Sequence, residues 1–337
     1  MSTIRDVARA AGVSVSTVSR VFNQSSLVKP ETRRRVEESA RRLDYAPNPT
    51  ARALSLNKTQ ALGLVLPLTY NEFFMELVRG MDEAAVSLGY HLIITGSHNR
   101  ERDTIEAISM LRSRVDALLV ISPNVPSEAI AAALPTEIPV VSLFSPRYHQ
   151  RDATFLVSNE RGAGLAVQHL VELGHTRIGF ITGPEANVDS RERYRGYLNA
   201  LQDHGLPHDS SLVAPGSFTV PSGMHAMERL LRLSEPPTAV FAGNDFMAIG
   251  ALKALHRHGL RVPDDVALIG FDDVPMAQLM SPSLSTIHVP IYDIGYRAVY
   301  HATELIAHPQ TTDPLSVRFE PRLVPRTSTL GCSALSS

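Results

Sequence analysis

The sequence predicts an α/β protein in three parts: a three-helix head, a short hinge, and a body of two doubly wound parallel sheets forming two lobes. Three observations carry this reading. The first 44 residues place apolar side chains at helical spacing around a glycine turn. Residues 45–60 hold Pro47 and Pro49 ahead of a short Ala-rich run. From Ala61 onward, short apolar runs alternate with amphipathic helices, the pattern of a parallel sheet covered on both faces. A length of 337 residues suits two or three compact units. The expected boundaries are 1–44 for the head, 45–60 for the hinge, 61–330 for the body and 331–337 for a flexible tail.

Composition limits the function classes. A chain that is 44 % hydrophobic and 20 % charged is an ordinary globular one. No apolar run approaches the roughly 20 residues needed to span a bilayer. Met1-Ser2-Thr3-Ile4-Arg5-Asp6 meets an acid at once and lacks the apolar core of a signal peptide, so a cytoplasmic location is expected. The single cysteine, Cys332, excludes an internal disulfide and argues against a cysteine-rich metal site. Neither a metal nor a cofactor is expected. Residues 1–60 hold 11 Lys/Arg against 5 Asp/Glu, leaving 21 against 29 of the totals of 32 and 34 for the rest. A basic head on an acidic body suits a polyanionic partner for the head, although a solvated helical surface would also account for it.

Within the head, Thr3-Ile4-Arg5-Asp6 fits a capping box and opens a helix with Ile4, Val7, Ala8 and Ala11 on one face. Gly12 ends it, and Ser14 caps a second helix with Val18, Val21 and Phe22 inward. Val15, Ser16, Thr17, Ser19 and Arg20 face out, and no acid occurs from Ser14 to Ser26. Pro30 starts a third helix that runs to about Leu43, with Lys29 a poor cap. Two short helices on a tight turn followed by a packing helix make a helix-turn-helix. The exposed face suits a major groove, with short groups for phosphates and Arg20 for a base edge.

Ile4-Arg5-Asp6-Val7-Ala8, Ala11-Gly12-Val13-Ser14, Thr17-Val18-Ser19-Arg20-Val21 and Asn23 resemble the head of the lactose/galactose (LacI/GalR) repressor family. Tyr45-Ala46-Pro47-Asn48 and Ala51-Arg52-Ala53-Leu54 are similar to that family's hinge, and the likeness runs to about residue 328. The resemblance implies a transcriptional regulator, bound as a homodimer to a pseudo-palindromic double-stranded DNA operator. It makes Thr3, Ser14, Val15, Ser16, Thr17, Ser19, Arg20, Asn23, Arg52 and Leu54 the expected DNA-facing residues. A helix at 50–56 is too short to be stable alone. The family implies that it orders on the operator, with Leu54 as a minor-groove wedge; packing of Leu54 on the body is the alternative.

For the body, strand candidates are 61–66, 90–95, 117–121, 139–143, 155–157, 177–182, 238–242, 266–271 and 284–288. Helices are expected at 73–88, 162–173, 191–204 and 245–258. Two such sheets facing one another form a cleft that closes on a ligand, as in periplasmic binding proteins. The resemblance implies crossings near residues 159, 290 and 320. It places 61–158 with 291–318 in one lobe and 159–290 with 319–330 in the other. Phe73 and Phe74 follow the first strand, Asp272 ends a strand, and Asn244 and Asp245 close another, with helix capping expected above all of Asp245. The resemblance adds Arg193, three residues before Gly196, and Phe218 as an aromatic wall. Phe73, Phe74, Arg193, Phe218, Asn244 and Asp272 are therefore the expected effector contacts. The effector is a small molecule, with a sugar or sugar derivative foremost and nucleobases still open. Val157 and Val289 stand where some relatives carry polar or aromatic groups.

An enzyme fits less well. Gly162-Ala163-Gly164 lacks the third glycine of a dinucleotide fingerprint and reads as close packing. No phosphate-binding loop or nucleophile elbow is present, and His169 and His175 read as surface or loop residues. Adjacent Asp272 and Asp273 should point apart. A periplasmic solute receptor would not carry a basic helical head.

Overall fold

The computed structural model describes residues 2–22, 27–45, 58–67, 72–308 and 315–330. The chain divides into two compact units, Met1–Gln60 and Ala61–Ser337. In the first unit, α1 spans Ile4–Ala11, α2 Val15–Phe22 and α3 Pro30–Arg42. Thr3 and Asp6 cap α1 reciprocally. Gly12 takes a left-handed backbone at φ 62°, which glycine adopts without strain, and so turns the chain into α2. Ser14 Oγ accepts the Thr17 N–H at 3.1 Å, and Lys29 makes no side-chain cap. Val7, Ala8, Ala11, Val18, Val21, Val36 and Ala40 form the buried core. So small a core supplies limited stability, which makes each cap count.

The second unit holds two parallel sheets. In chain order the first lobe contributes β1 (Ala61–Leu66), β2 (His91–Gly96), β3 (Ala117–Ile121), β4 (Val140–Leu143) and β5 (Ala153–Val157). The second contributes β6 (Ile178–Thr182), β7 (Val213–Pro215), β8 (Ala239–Ala242) and β9 (Ala267–Ile269). The chain then forms β10 (Thr286–His288), β11 (Ser316–Phe319) and β12 (Arg322–Val324). The sheets run β11-β5-β4-β3-β1-β2 and β7-β6-β8-β9, with β10 and β12 as a separate antiparallel ribbon. In each sheet the order reverses about one strand, β1 in the first and β6 in the second, and ligands of such sheets bind beyond the carboxyl ends at that point. The chain leaves the first sheet after β5 and returns to it only with β11.

Several expectations are corrected. Twelve strands are formed among the described residues, not nine, because β7, β11 and β12 are too short or too polar to stand out. The helix expected at 191–204 is Val188–Asp203, since Asn187 accepts the Ser190 N–H and caps it earlier. His169 is buried and bonds Thr329 Oγ1 at 2.8 Å, so it is no surface residue. Gly162 lies against Phe271 as close packing requires, whereas a side chain at Gly164 would meet open space.

Candidate functional site

Two surfaces, one in each unit, gather the expected residues. On the head, Thr3, Ser14, Val15, Ser16 and Arg20 are exposed, and Thr17 and Ser19 are half-buried. Ser14 Oγ lies 2.8 Å from both Ser16 Oγ and Thr17 Oγ1, so the hydroxyls form one tied cluster at the start of α2. Thr3 Oγ1 donates to Asp6 Oδ2 at 2.7 Å and so serves the cap of α1. Asn23, Arg52 and Leu54 lie outside the described residues.

In the body, a cavity of about 490 Å³ lies between the lobes, within the usual size of small-molecule sites. Phe73, Phe74, Arg193, Phe218, Asn244 and Asp272 all line it. Phe73 and Phe74, at the helix start after β1, meet edge to face at 5.2 Å, and Phe73 also packs on Phe144 at 5.6 Å. Val157 and Val289 are core residues and do not line this cavity.

Arg193 comes from the helix after β6 and is 6 % exposed. Its Nε donates to Asn159 Oδ1 at 2.9 Å and its Nη1 to the Gly243 carbonyl at 2.6 Å. Nη2 lies 3.2 Å from Asp272 Oδ1 as an ion pair, without the alignment of a hydrogen bond. The guanidinium covers the Phe271 ring at 3.7 Å. Asn159 also donates to Asp189 Oδ1 at 2.8 Å, so one amide links the arginine to a second carboxylate of the cavity wall.

Asp272 and Asp273 both have left-handed backbones, at φ 110° and 62°, a strain of about 1–3 kcal/mol each that the surroundings must hold. Asp245 Oδ2 accepts the Val274 N–H at 2.9 Å, and Asp273 bonds His288 and Arg326 at 2.9 and 2.6 Å. The two carboxylates therefore diverge, one to the cavity and one to the ribbon. Capping is also corrected here. Asn244 Oδ1 caps the helix Asp245–Arg257 through the Met247 N–H at 2.9 Å. Asp245 is fully buried and braces the Asp272 turn instead.

Burial pushes the Asp272 carboxyl up to about 7 despite Arg193, with Asp189 raising it further. Asp189 is pushed up to about 6 by burial, against Arg193 and with Glu192. Burial, then the Asp272 charge, raises Asp245 well above the carboxylate range. Sequence reasoning missed Asp189, Asn159, Phe144 and Phe246. Asp189 stands four residues before Arg193, a spacing that would have revealed it had the helix been started at Val188. Among the described residues no group of three His, Cys, Asp or Glu side chains could hold a metal, and no helix is long and apolar enough to cross a membrane.

Residues 3–48 match the family described as bacterial regulatory proteins, lacI family, and residues 167–329 match a periplasmic binding protein-like domain. The chain is 36 % identical to catabolite control protein A of Priestia megaterium over 329 residues, covering 97 % of this chain and 99 % of that one. It is 37 % identical to the ribose operon repressor of Escherichia coli strain K12 over 334 residues, 97 % of this chain and 100 % of the relative. The solved lac repressor dimer bound to operator and the anti-inducer ONPF superposes with a TM-score of 0.87 at 28 % identity, covering 97 % of this chain and 99 % of that one.

Proposed function

The chain belongs to the lacI family of bacterial regulatory proteins, and from that premise we propose that it is a repressor whose operator affinity is set by a sugar or sugar derivative held between its lobes. It is a DNA-binding transcription regulator, not an enzyme, as its relatives are. The convergence of all six expected cleft residues on one cavity carries the effector half of this reading. A relative named for a ribose operon, and a neighbour solved with operator and ONPF, support a sugar as the ligand class and a dimer as the DNA-bound form.

In this reading α2 enters the major groove and Arg20 reads a guanine in each half-site. The hinge, residues 45–60, folds against DNA and its twin, with Leu54 wedging a base step and Arg52 flanking it. The head is 1–44 and the body 61–330, divided into lobes of 61–158 with 291–318 and 159–290 with 319–330. Ligand held by Arg193 and Asp272 changes lobe closure and with it the operator affinity of the heads. The protein works in the cytoplasm, on the nucleoid when operator-bound.

A gel shift on operator duplex, repeated at rising salt and with candidate ligands, tests the whole reading. Binding should weaken with salt, and in thermal unfolding of the protein an effector at 100 times its Kd should add about 2.7 kcal/mol of stability. Absence of any DNA shift would overturn it.

A further inference from the structure

Resting on the cleft being the effector site, we infer that it selects an uncharged, polyhydroxylated ring and rejects the phosphorylated and carboxylated counterparts of that ring. The charge on its walls points this way. Among the described lining residues Arg193 is the one cation, and it faces two carboxylates, Asp189 and Asp272. Arg193 is also committed already, to Asn159, Gly243, Asp272 and the face of Phe271. A phosphate or carboxylate is held best by a free bidentate fork, and here Nε and Nη1 each already donate within the protein, which leaves single N–H groups that suit a hydroxyl better.

Helix N-termini are the other source of anion affinity, and three of them open on the cavity, at Asn187, Thr219 and Asn244. Each already has one first-turn N–H satisfied from within. The side-chain oxygens of these caps accept the N–H groups of Ser190, Ser222 and Met247 at 3.0, 3.3 and 2.9 Å. Two of the first turns also carry a carboxylate of their own, Asp189 and Asp245. The caps and these two carboxylates therefore reduce what the positive helix ends offer to an anion.

The opposite wall offers Phe73, Phe74 and Phe144, which cover an apolar ring face but supply no donor to a desolvated anion. A hydroxyl group meets the polar wall best, because it donates to a carboxylate and accepts from the guanidinium at once.

Calorimetry on the full chain tests this with neutral aldoses and polyols, each beside its monophosphate and its carboxylic acid. At least one neutral member should bind, and its anionic counterparts should bind at least 100-fold more weakly. Asp189→Asn should narrow that gap at least tenfold by weakening the neutral ligand and admitting the anion; Asp272→Asn provides the same readout should the first variant fold poorly. An anionic member binding as tightly as its neutral partner overturns the selectivity while leaving the cleft as effector site. If no member binds at all, the effector reading falls and the selectivity falls with it.

Discussion

Arg20 stands exposed on α2, flanked by small hydroxyls, while Arg193 is 6 % exposed and enclosed by Asn159, Gly243, Asp272 and Phe271. Both are assigned to a ligand, yet their physical situations are opposed. An exposed guanidinium costs little to carry and contributes little to the fold, so its interaction energy is available to a partner. A buried one must be satisfied by the protein before any ligand arrives, or its desolvation would unfold the lobe. The head can therefore recognise a polyanion through charge, whereas the cleft recognises through shape and hydrogen bonds among groups already paired.

Four measurements bear on this contrast, in falling order of expected effect. Arg193→Ala should destabilise the body by about 3–5 kcal/mol in urea unfolding of the full chain, because it leaves Asp272 buried without its partner. A cost below about 1 kcal/mol, the range of exposed ion pairs, would erase the distinction. Arg20→Ala should leave unfolding within about 0.5 kcal/mol of wild type. Its operator affinity should nevertheless fall by about 1–3 kcal/mol per half-site, with relaxed preference at one base pair. Equal weakening on all sequences would make Arg20 a phosphate contact.

The third measurement uses pH. Asp272 titrates near 7 in the folded protein against an ordinary 3.8, so the folded state holds a proton that the unfolded chain releases between those values. The stability this confers is complete below about 3.8 and is lost as pH rises through about 7, at no more than about 1.4 kcal/mol per pH unit. Asp189 and Asp245, also raised, act in the same direction. Asp272→Asn should flatten the decline between pH 5 and 7, and an unchanged slope would assign the proton elsewhere. Smallest is the cap. Ser14→Ala should cost the head about 1 kcal/mol by removing the side-chain acceptor of the Thr17 N–H, seen as earlier melting of the helical signal of residues 1–60.

The head was legible because its determinants are local. Thr3 with Asp6, Gly12, and Ser14 with Thr17 each act within three or four residues, so their order in the chain already states the geometry. The alternation after Ala61 likewise revealed two parallel sheets, since burial on both faces demands apolar strands. Less was readable where a signal was short. β7 has three residues and ends in Pro215, Asn187 was not recognised as a cap, and Asn244 was placed behind Asp245 because either neighbour could have served.

What the sequence determined by itself, then, was the kind of protein, the helical head, the two-sheet body and the residues that follow the strands. Tertiary structure alone decided which of those residues meet. Phe73, Phe144, Arg193 and Asp272 come from distant parts of the chain and converge only because β1 and β6 occupy the positions where strand order reverses. It also decided their charge. Asp189, Asp245 and Asp272 are ordinary aspartates in the sequence, and their raised pKa values arise first from burial and then from neighbouring carboxylates, which come together only once the lobes have folded around them.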